Sequence, residues 1–323
     1  MTILRACGLS NDIVAGEAAE ECLLSGGSAV AAVLSGFFAA AGAYSGVLLG
    51  PLSVLIAGVG VGARAFDGRL RQPGFGSKRP RGFRDEEPIP PSAYVAVPGA
   101  IAAAAVALAY EGERSLGPLI RHGIQRAERA GADTRAELMR VVRGLGAQAF
   151  SDPAFVRPML HVAGPSEGGL LTSPDFAVVP PDIDVQAVAH PSDEAWFETP
   201  WAAELGEEGS ASPDGNQYVV VAIDSRGVAA AASFLRTREG VAFDAIELTA
   251  PRSARPVLRG VTRVGPGERL PAPCSMAVRI EGGRPTMILA SPSKLRLSGA
   301  DLSLPELSVK RDNAARSVIP SRR

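Results

Sequence analysis

Residues 214–224 read "DGNQYVVVAID". Asp214, Gly215 and Asn216 are turn residues, and they open straight into an apolar run from Tyr218 to Ile223. Asp224-Ser225-Arg226-Gly227 then separates that run from a second one, "GVAAAASF" at 227–234, and the pattern predicts a hairpin. It recurs downstream, where "MAVRI" (276–280) and "RPTMIL" (284–289) flank Glu281-Gly282-Gly283. Strands apolar on both alternating faces need cover on both sides, so this half of the chain predicts sheet stacked on sheet or under helices.

The first half has a different period. Val30, Val33, Leu34, Phe37 and Phe38 follow helical spacing after the pair Gly26-Gly27. Beyond Pro51, "LSVLIAGVGV" reads as a buried strand. The uncharged stretch 28–63 is long enough to span a bilayer. Its glycines, the central Pro51 and the acidic flank Glu17, Glu20 and Glu21 favour a buried helix and strand instead. Residues 64–84 carry seven basic residues against one acid and read as a solvated Gly/Pro-rich loop, with an anion or acidic-partner site as the alternative.

Pro98 reads as a first-turn proline of a helix with the body "GAIAAAAVALAY". Leu116, Leu119, Ile120, Gly123, Ile124 and Ala127 mark the next one. Thr134 and Glu137 form a capping-box pattern before a third, carrying Leu138, Val141, Val142 and Leu145. Residues 182–216 are acidic and rich in Ser, Pro and Gly and read as a linker; the chain from 309 is a basic tail. Helices and buried strands first, hairpins later, predict a layered α+β fold.

Composition narrows the function classes. The 323 residues are 46% hydrophobic and 21% charged, enough for a sizeable core, and the net charge of −1 gives no global field to steer nucleic acid or membrane binding. Cys7, Cys22 and Cys274 form neither a disulfide framework nor a metal pattern, which fits a reducing cytoplasm. His122, His161 and His190 lack metal-ligand spacing, and no cofactor motif is present. The N-terminus shows no cleavable signal pattern. Asp175, Asp224 and Asp244 read as turn residues, and Trp196 and Trp201 as packing over a sheet or as a partner anchor.

Several segments, in collinear order from about 15 to 297, resemble the γ-glutamyltranspeptidase family of N-terminal-nucleophile hydrolases. "LLSGGSAVAAV" resembles that family's glycine-pair helix start, "DGRLRQP" its R-E-T-A-P segment, and "VAVPGAIAAAAVALAYEG" its V-P-G helix entry. "GGLLTSPDF" resembles its G-G-x-x-T-x-x-D turn, and "NQYVVVAIDSRGVAAA" the strand pair that opens its small subunit. "GERLPAPCSMAVRIEGGRPTMILASPS" is similar to its S-S-M strand and G-S-P-G-G loop. The resemblance implies a four-layer α-β-β-α sandwich. It divides the chain into a large-subunit-like portion 1–181, the linker 182–216, a small-subunit-like portion 217–308 and the tail 309–323. The chain is shorter than the family's precursors, and the shortfall lies between the third helix and residue 170.

The family's precursor cuts itself before a threonine, which then attacks substrate with its own α-amine as base. By the resemblance that position falls on Gln217, and a second family threonine on Tyr218. A carboxamide cannot act as such a nucleophile. Ser212, five residues upstream, and Thr199 are displaced from it. The family's oxyanion loop falls on Ala290-Ser291-Pro292-Ser293-Lys294, with Ser293 and Lys294 in place of two glycines. Arg69 falls on the arginine that clamps the substrate α-carboxylate, with Leu70 in place of its glutamate neighbour; Cys274 and Ser275 fall on the paired serines that contact the glutamyl group. Two functions follow. One is an uncleaved, non-catalytic binding or scaffold subunit, with a protein partner or a second copy of itself, a small γ-glutamyl or amino-acid-like ligand, and a place in a biosynthetic pathway. The other is an active γ-glutamyl transferase or amide hydrolase with a rebuilt site.

Overall fold

A computed structural model describes residues 7–58, 62–77, 82–84, 87–113, 115–177, 188–190, 193–205, 215–258, 263–271, 274–291, 295, 297 and 307–310. Its helices are α1 (Ile13–Leu24), α2 (Ala29–Ala43), α3 (Ala100–Tyr110), α4 (Gly117–Arg129), α5 (Asp133–Leu145) and α6 (Pro153–Ala163). The strands are β1 (Cys7–Ser10), β2 (Leu52–Gly58), β3 (Gly62–Gly68), β4 (Gly82–Phe83), β5 (Val188–His190), β6 (Asp193–Glu198) and β7 (Gly215–Ile223). They continue with β8 (Ala229–Thr237), β9 (Val241–Phe243), β10 (Leu248–Ala250), β11 (Val257–Leu258), β12 (Ser275–Glu281), β13 (Arg284–Ser291) and β14 (Leu307–Lys310).

Two five-stranded sheets dominate. The first has the order β1-β7-β8-β2-β3 and the second β14-β13-β12-β6-β5. Both expected hairpins form: β7 pairs antiparallel with β8, and β12 with β13. Alternation sorts the side chains of the first sheet. Leu55, Val219, Val221 and Ala231 pack against Met276, Val278, Ile288 and Ala290 of the second sheet. Val54, Ile56, Val220, Ala222 and Ala232 face the opposite way into the largest core cluster, to which all six helices contribute. Helix layer, first sheet and second sheet therefore follow in the expected sandwich order. On its outer face the second sheet is packed by Trp196, Ala277, Met287, Leu289, Leu295 and Leu297.

Local causes are visible in the helical layer. Ser28 caps α2 by accepting from the Ala31 amide, and Asp12 caps α1 through the Ala15 amide. Helix α2 is buried along nearly its whole circumference, which explains its uniform apolarity. It crosses α4 closely at two glycines. A methyl group on Gly42 would lie 1.9 Å from the Gly123 carbonyl oxygen, and one on Gly123 would lie 2.3 Å from that of Phe38. Among the described residues no helix is long and apolar enough to cross a membrane.

Four expectations change. Residues 64–68, expected in a basic loop, belong to β3, which pairs along its full length with β2; apolar Ala65 and Phe66 outweigh the flanking arginines. The acidic linker contains β5 and β6, and β6 pairs with β12 inside the second sheet, anchored by buried Trp196. The Thr134–Glu137 capping box does not form: the N-cap of α5 is Ala132, two residues earlier, and Glu137 pairs with Arg140. Pro98 precedes the N-cap Gly99 of α3 rather than sitting in its first turn.

Candidate functional site

Gln217 lies near the start of β7, opposite Leu235 in β8. Alternation with Val219 and Val221 turns its side chain toward the layer between the sheets. There it donates from Nε2 to the hydroxyl of Ser233, while its own Oε1 is buried with no hydrogen-bond partner among the described residues. Ser233 pairs in register with Val219 on one side and Ser53 on the other, and the Ser53 hydroxyl is likewise buried without a partner among the described residues. A small polar island therefore interrupts the apolar layer between the sheets.

Cys274 enters the island from the second sheet. Fully buried, it makes hydrogen-bond contact with Ser233 and with the backbone of Ser275 and Ser291, and burial pushes its thiol up to about 12. Such a thiol stays protonated and unreactive at neutral pH. Ser275 is also buried, but strand alternation puts it on the face of Ala277, away from the first sheet. The two neighbouring residues thus point into different layers. Thr199 is buried and accepts at its hydroxyl from the Met276 amide, so it ties the turn after β6 to β12.

Arg69 follows β3 directly and is buried, with 8% of its surface exposed. Its Nε lies 2.9 Å from Asp67 Oδ2, and its Nη1 lies 2.5 Å from Glu204 Oε2. Its guanidinium also stands 5.3 Å from the ring centre of Trp201. Trp201 donates from its indole nitrogen to the Cys274 carbonyl oxygen at 3.1 Å. A continuous series of contacts therefore joins Arg69, Trp201, Cys274, Ser233 and Gln217, bringing together four of the residues singled out in the sequence.

Glu204 is the unexpected member. Nothing in the acidic run around it distinguishes it, because its role depends on the short turn at 200–204 folding back toward Arg69. Asp67 is shared further, with Arg269 Nε 3.1 Å from its Oδ2. The Arg69 guanidinium is thus charge-balanced by two carboxylates of its own chain. Ser212, Ser293 and Lys294 lie outside the described residues, as does the side chain of His190.

The turn aspartates serve as expected. Asp175 accepts from the amides of Gly74, Phe75 and Thr172 and from the Thr172 hydroxyl. Asp224 accepts from the amides of Arg226 and Val228 in the hairpin and reaches the Ala29 amide at the start of α2. Asp244 opens a short 3-10 turn. His122 and His161 lie on α4 and α6, and among the described residues no cluster of three His, Cys, Asp or Glu side chains suits a metal ion.

No protein-family model matches the sequence, and no curated protein matches it significantly. Solved structures do. Cephalosporin acylase from Bacillus halodurans is similar with a TM-score of 0.65 at 13% identity, over 87% of this chain and 76% of that one. A structure of LmbA2991 is similar with a TM-score of 0.60 at 14% identity, over 88% and 78%. At these identities the likeness establishes the fold, which is that of the N-terminal-nucleophile hydrolases.

Proposed function

We propose, on the premise that the chain has the fold of the N-terminal-nucleophile hydrolases, that it is an uncleaved γ-glutamyltranspeptidase-like protein acting as a non-catalytic binding or scaffold subunit. The observation that carries this reading is the state of Gln217. It occupies the position that the family resemblance gives to the nucleophilic threonine, and its amide is committed to Ser233. A carboxamide offers neither an alkoxide for acyl transfer nor, without cleavage, a free α-amine to serve as base. The nearby thiol of Cys274 is held protonated by burial and so supplies no substitute.

The remaining features fit a binding role. The buried arginine network around Arg69 and Asp67 gives the site a fixed shape, as recognition requires. A protein partner, or a second copy of the chain, is the kind of occupant that a scaffold subunit serves. The test is incubation of concentrated protein with a γ-glutamyl anilide, with and without an acceptor amino acid. The expected result is release of anilide at the uncatalysed rate. Turnover that scales with protein concentration and disappears in Ser212→Ala would replace this reading with that of an enzyme with a rebuilt site.

A further inference from the structure

A cleft opens beside Arg69, between the segment after β3 and the start of α3. Arg71, Arg269 and Asp175 line it together with an apolar wall that includes Pro98, Phe150 and Phe176. The charges in it are unequally satisfied. Arg69 is matched by Asp67 and Glu204, and Arg269 leans on Asp67. The Asp175 carboxylate is taken up by amide and hydroxyl donors from Gly74, Phe75 and Thr172. Arg71 differs: its backbone is pinned in both directions to Val97, at 3.0 and 2.9 Å, yet its guanidinium has neither a hydrogen bond nor an ion pair among the described residues.

That guanidinium is half-buried. Burial lowers its proton affinity, and the charge of Arg269 adds to the effect while Asp175 opposes it. A partly desolvated cation on a pinned backbone, whose nearest carboxylate, Asp175, is already taken up by amide and hydroxyl donors, is costly to maintain unless an anion completes it. Its planar fork suits a carboxylate held by two parallel hydrogen bonds. The apolar wall beside it suits a short hydrocarbon body.

We propose that this cleft is a binding site for a small organic monocarboxylate, with Arg71 as its principal contact and Arg269 as the second cation. The site does not depend on the non-catalytic reading, because none of its contacts involves Gln217, Cys274 or Ser233. It also shifts the carboxylate-binding role from Arg69, which its own chain neutralises, to the arginine two residues on.

The experiment is calorimetric titration of the full-length protein with butyrate and with its neutral isostere butyramide. Butyrate is expected to bind in the millimolar range and butyramide to give no heat of binding. In Arg71→Gln butyrate affinity falls about tenfold or more, the loss expected of a charge-assisted pair. Arg71→Lys keeps part of it, and Arg121→Gln, on the exposed side of α4, leaves it unchanged. Circular dichroism of each variant secures the comparison, and folding of Arg71→Gln is expected because no internal partner is lost. Absence of butyrate binding, equal binding of butyramide, or unchanged affinity in folded Arg71→Gln would overturn the proposal.

Discussion

Gln217 and Ser233 are locked together across the β7–β8 pair: the glutamine amide donates to the serine hydroxyl, and the glutamine oxygen is left buried without a donor among the described residues. The arrangement is half-satisfied. The glutamine side chain makes one hydrogen bond within a small polar island of a largely apolar layer, and among the described residues its acceptor goes without. A glutamine held this way fills the position that the resemblance assigns to a nucleophile.

Replacing that glutamine alone does not restore chemistry. Gln217→Thr is expected to remain uncut after days of incubation, followed by intact mass. Groups that act as a unit do not return singly, because each contributes only when the others are in place. Ser293 and Lys294 stand where the family resemblance expects glycines, so the fairer trial adds Ser293→Gly and Lys294→Gly. Cleavage before residue 217 in the single variant would show that the surrounding site survives intact.

The Arg69 network is expected to matter more to stability than its surface members suggest. Arg69→Met leaves Asp67, whose side chain is 1% exposed, with Arg269 as its ion-pair partner and the backbone amide of residue 69 as a donor. Removing one partner of a buried pair costs about 3–5 kcal/mol, and the remaining arginine should hold the loss near ~3. Glu204, at 48% side-chain exposure, is the peripheral member, and Glu204→Gln should cost under about 1 kcal/mol. Urea unfolding of both variants measures the difference; equal losses would contradict the assignment of Asp67 as the principal partner.

Cys274 carries a pH signature. Its folded thiol holds its proton to about 12 because of burial, against an ordinary thiol value of 9.0. Between those values the unfolded chain binds fewer protons than the folded one. Stability therefore falls as pH rises through that window, by up to ~1.4 kcal/mol per pH unit, and is unaffected by this group below it. In Cys274→Ala that alkaline decline should be shallower. In the native protein at neutral pH, iodoacetamide should label the partly exposed Cys7 and Cys22 before Cys274.

The crossing of α2 and α4 offers a packing test. In Gly123→Ala the new methyl would lie 2.3 Å from the Phe38 carbonyl oxygen and 2.2 Å from Met139 Cε. The methionine can move, but the backbone carbonyl cannot without parting the helices. Such overpacking costs about 1–3 kcal/mol or more, read as a lowered urea midpoint. Gly144→Ala, near the end of α5 with nothing within 4 Å, is the control: it meets no clash, and helix propensity favours the alanine by up to about 1 kcal/mol.

Much of the architecture was legible because its signals are local. Asp224 to Gly227 and Glu281 to Gly283 turn both hairpins as their residue types predict, and the spacing from Val30 to Phe38 yields α2. Strand β6 was hidden because its acidic residues dominate composition, while its burial rests on Trp196 with Phe197 packed beside it. Strand β3 was hidden because arginines bracket its apolar centre. In the candidate site, Gln217, Cys274 and Arg69 could be named from collinear motifs, whereas Ser233, Ser53 and Glu204 could not. Their roles come from strand register and a returning turn, neither of which leaves a mark on neighbouring residue types.

The central claim is that this chain keeps the fold of a self-processing hydrolase without processing itself, and intact mass spectrometry of the purified protein tests it most directly. The account predicts one species at the full 33.3 kDa, stable through prolonged storage. Two stably associated fragments, with a new N-terminus at Ser212 or elsewhere between residues 195 and 220, would contradict it.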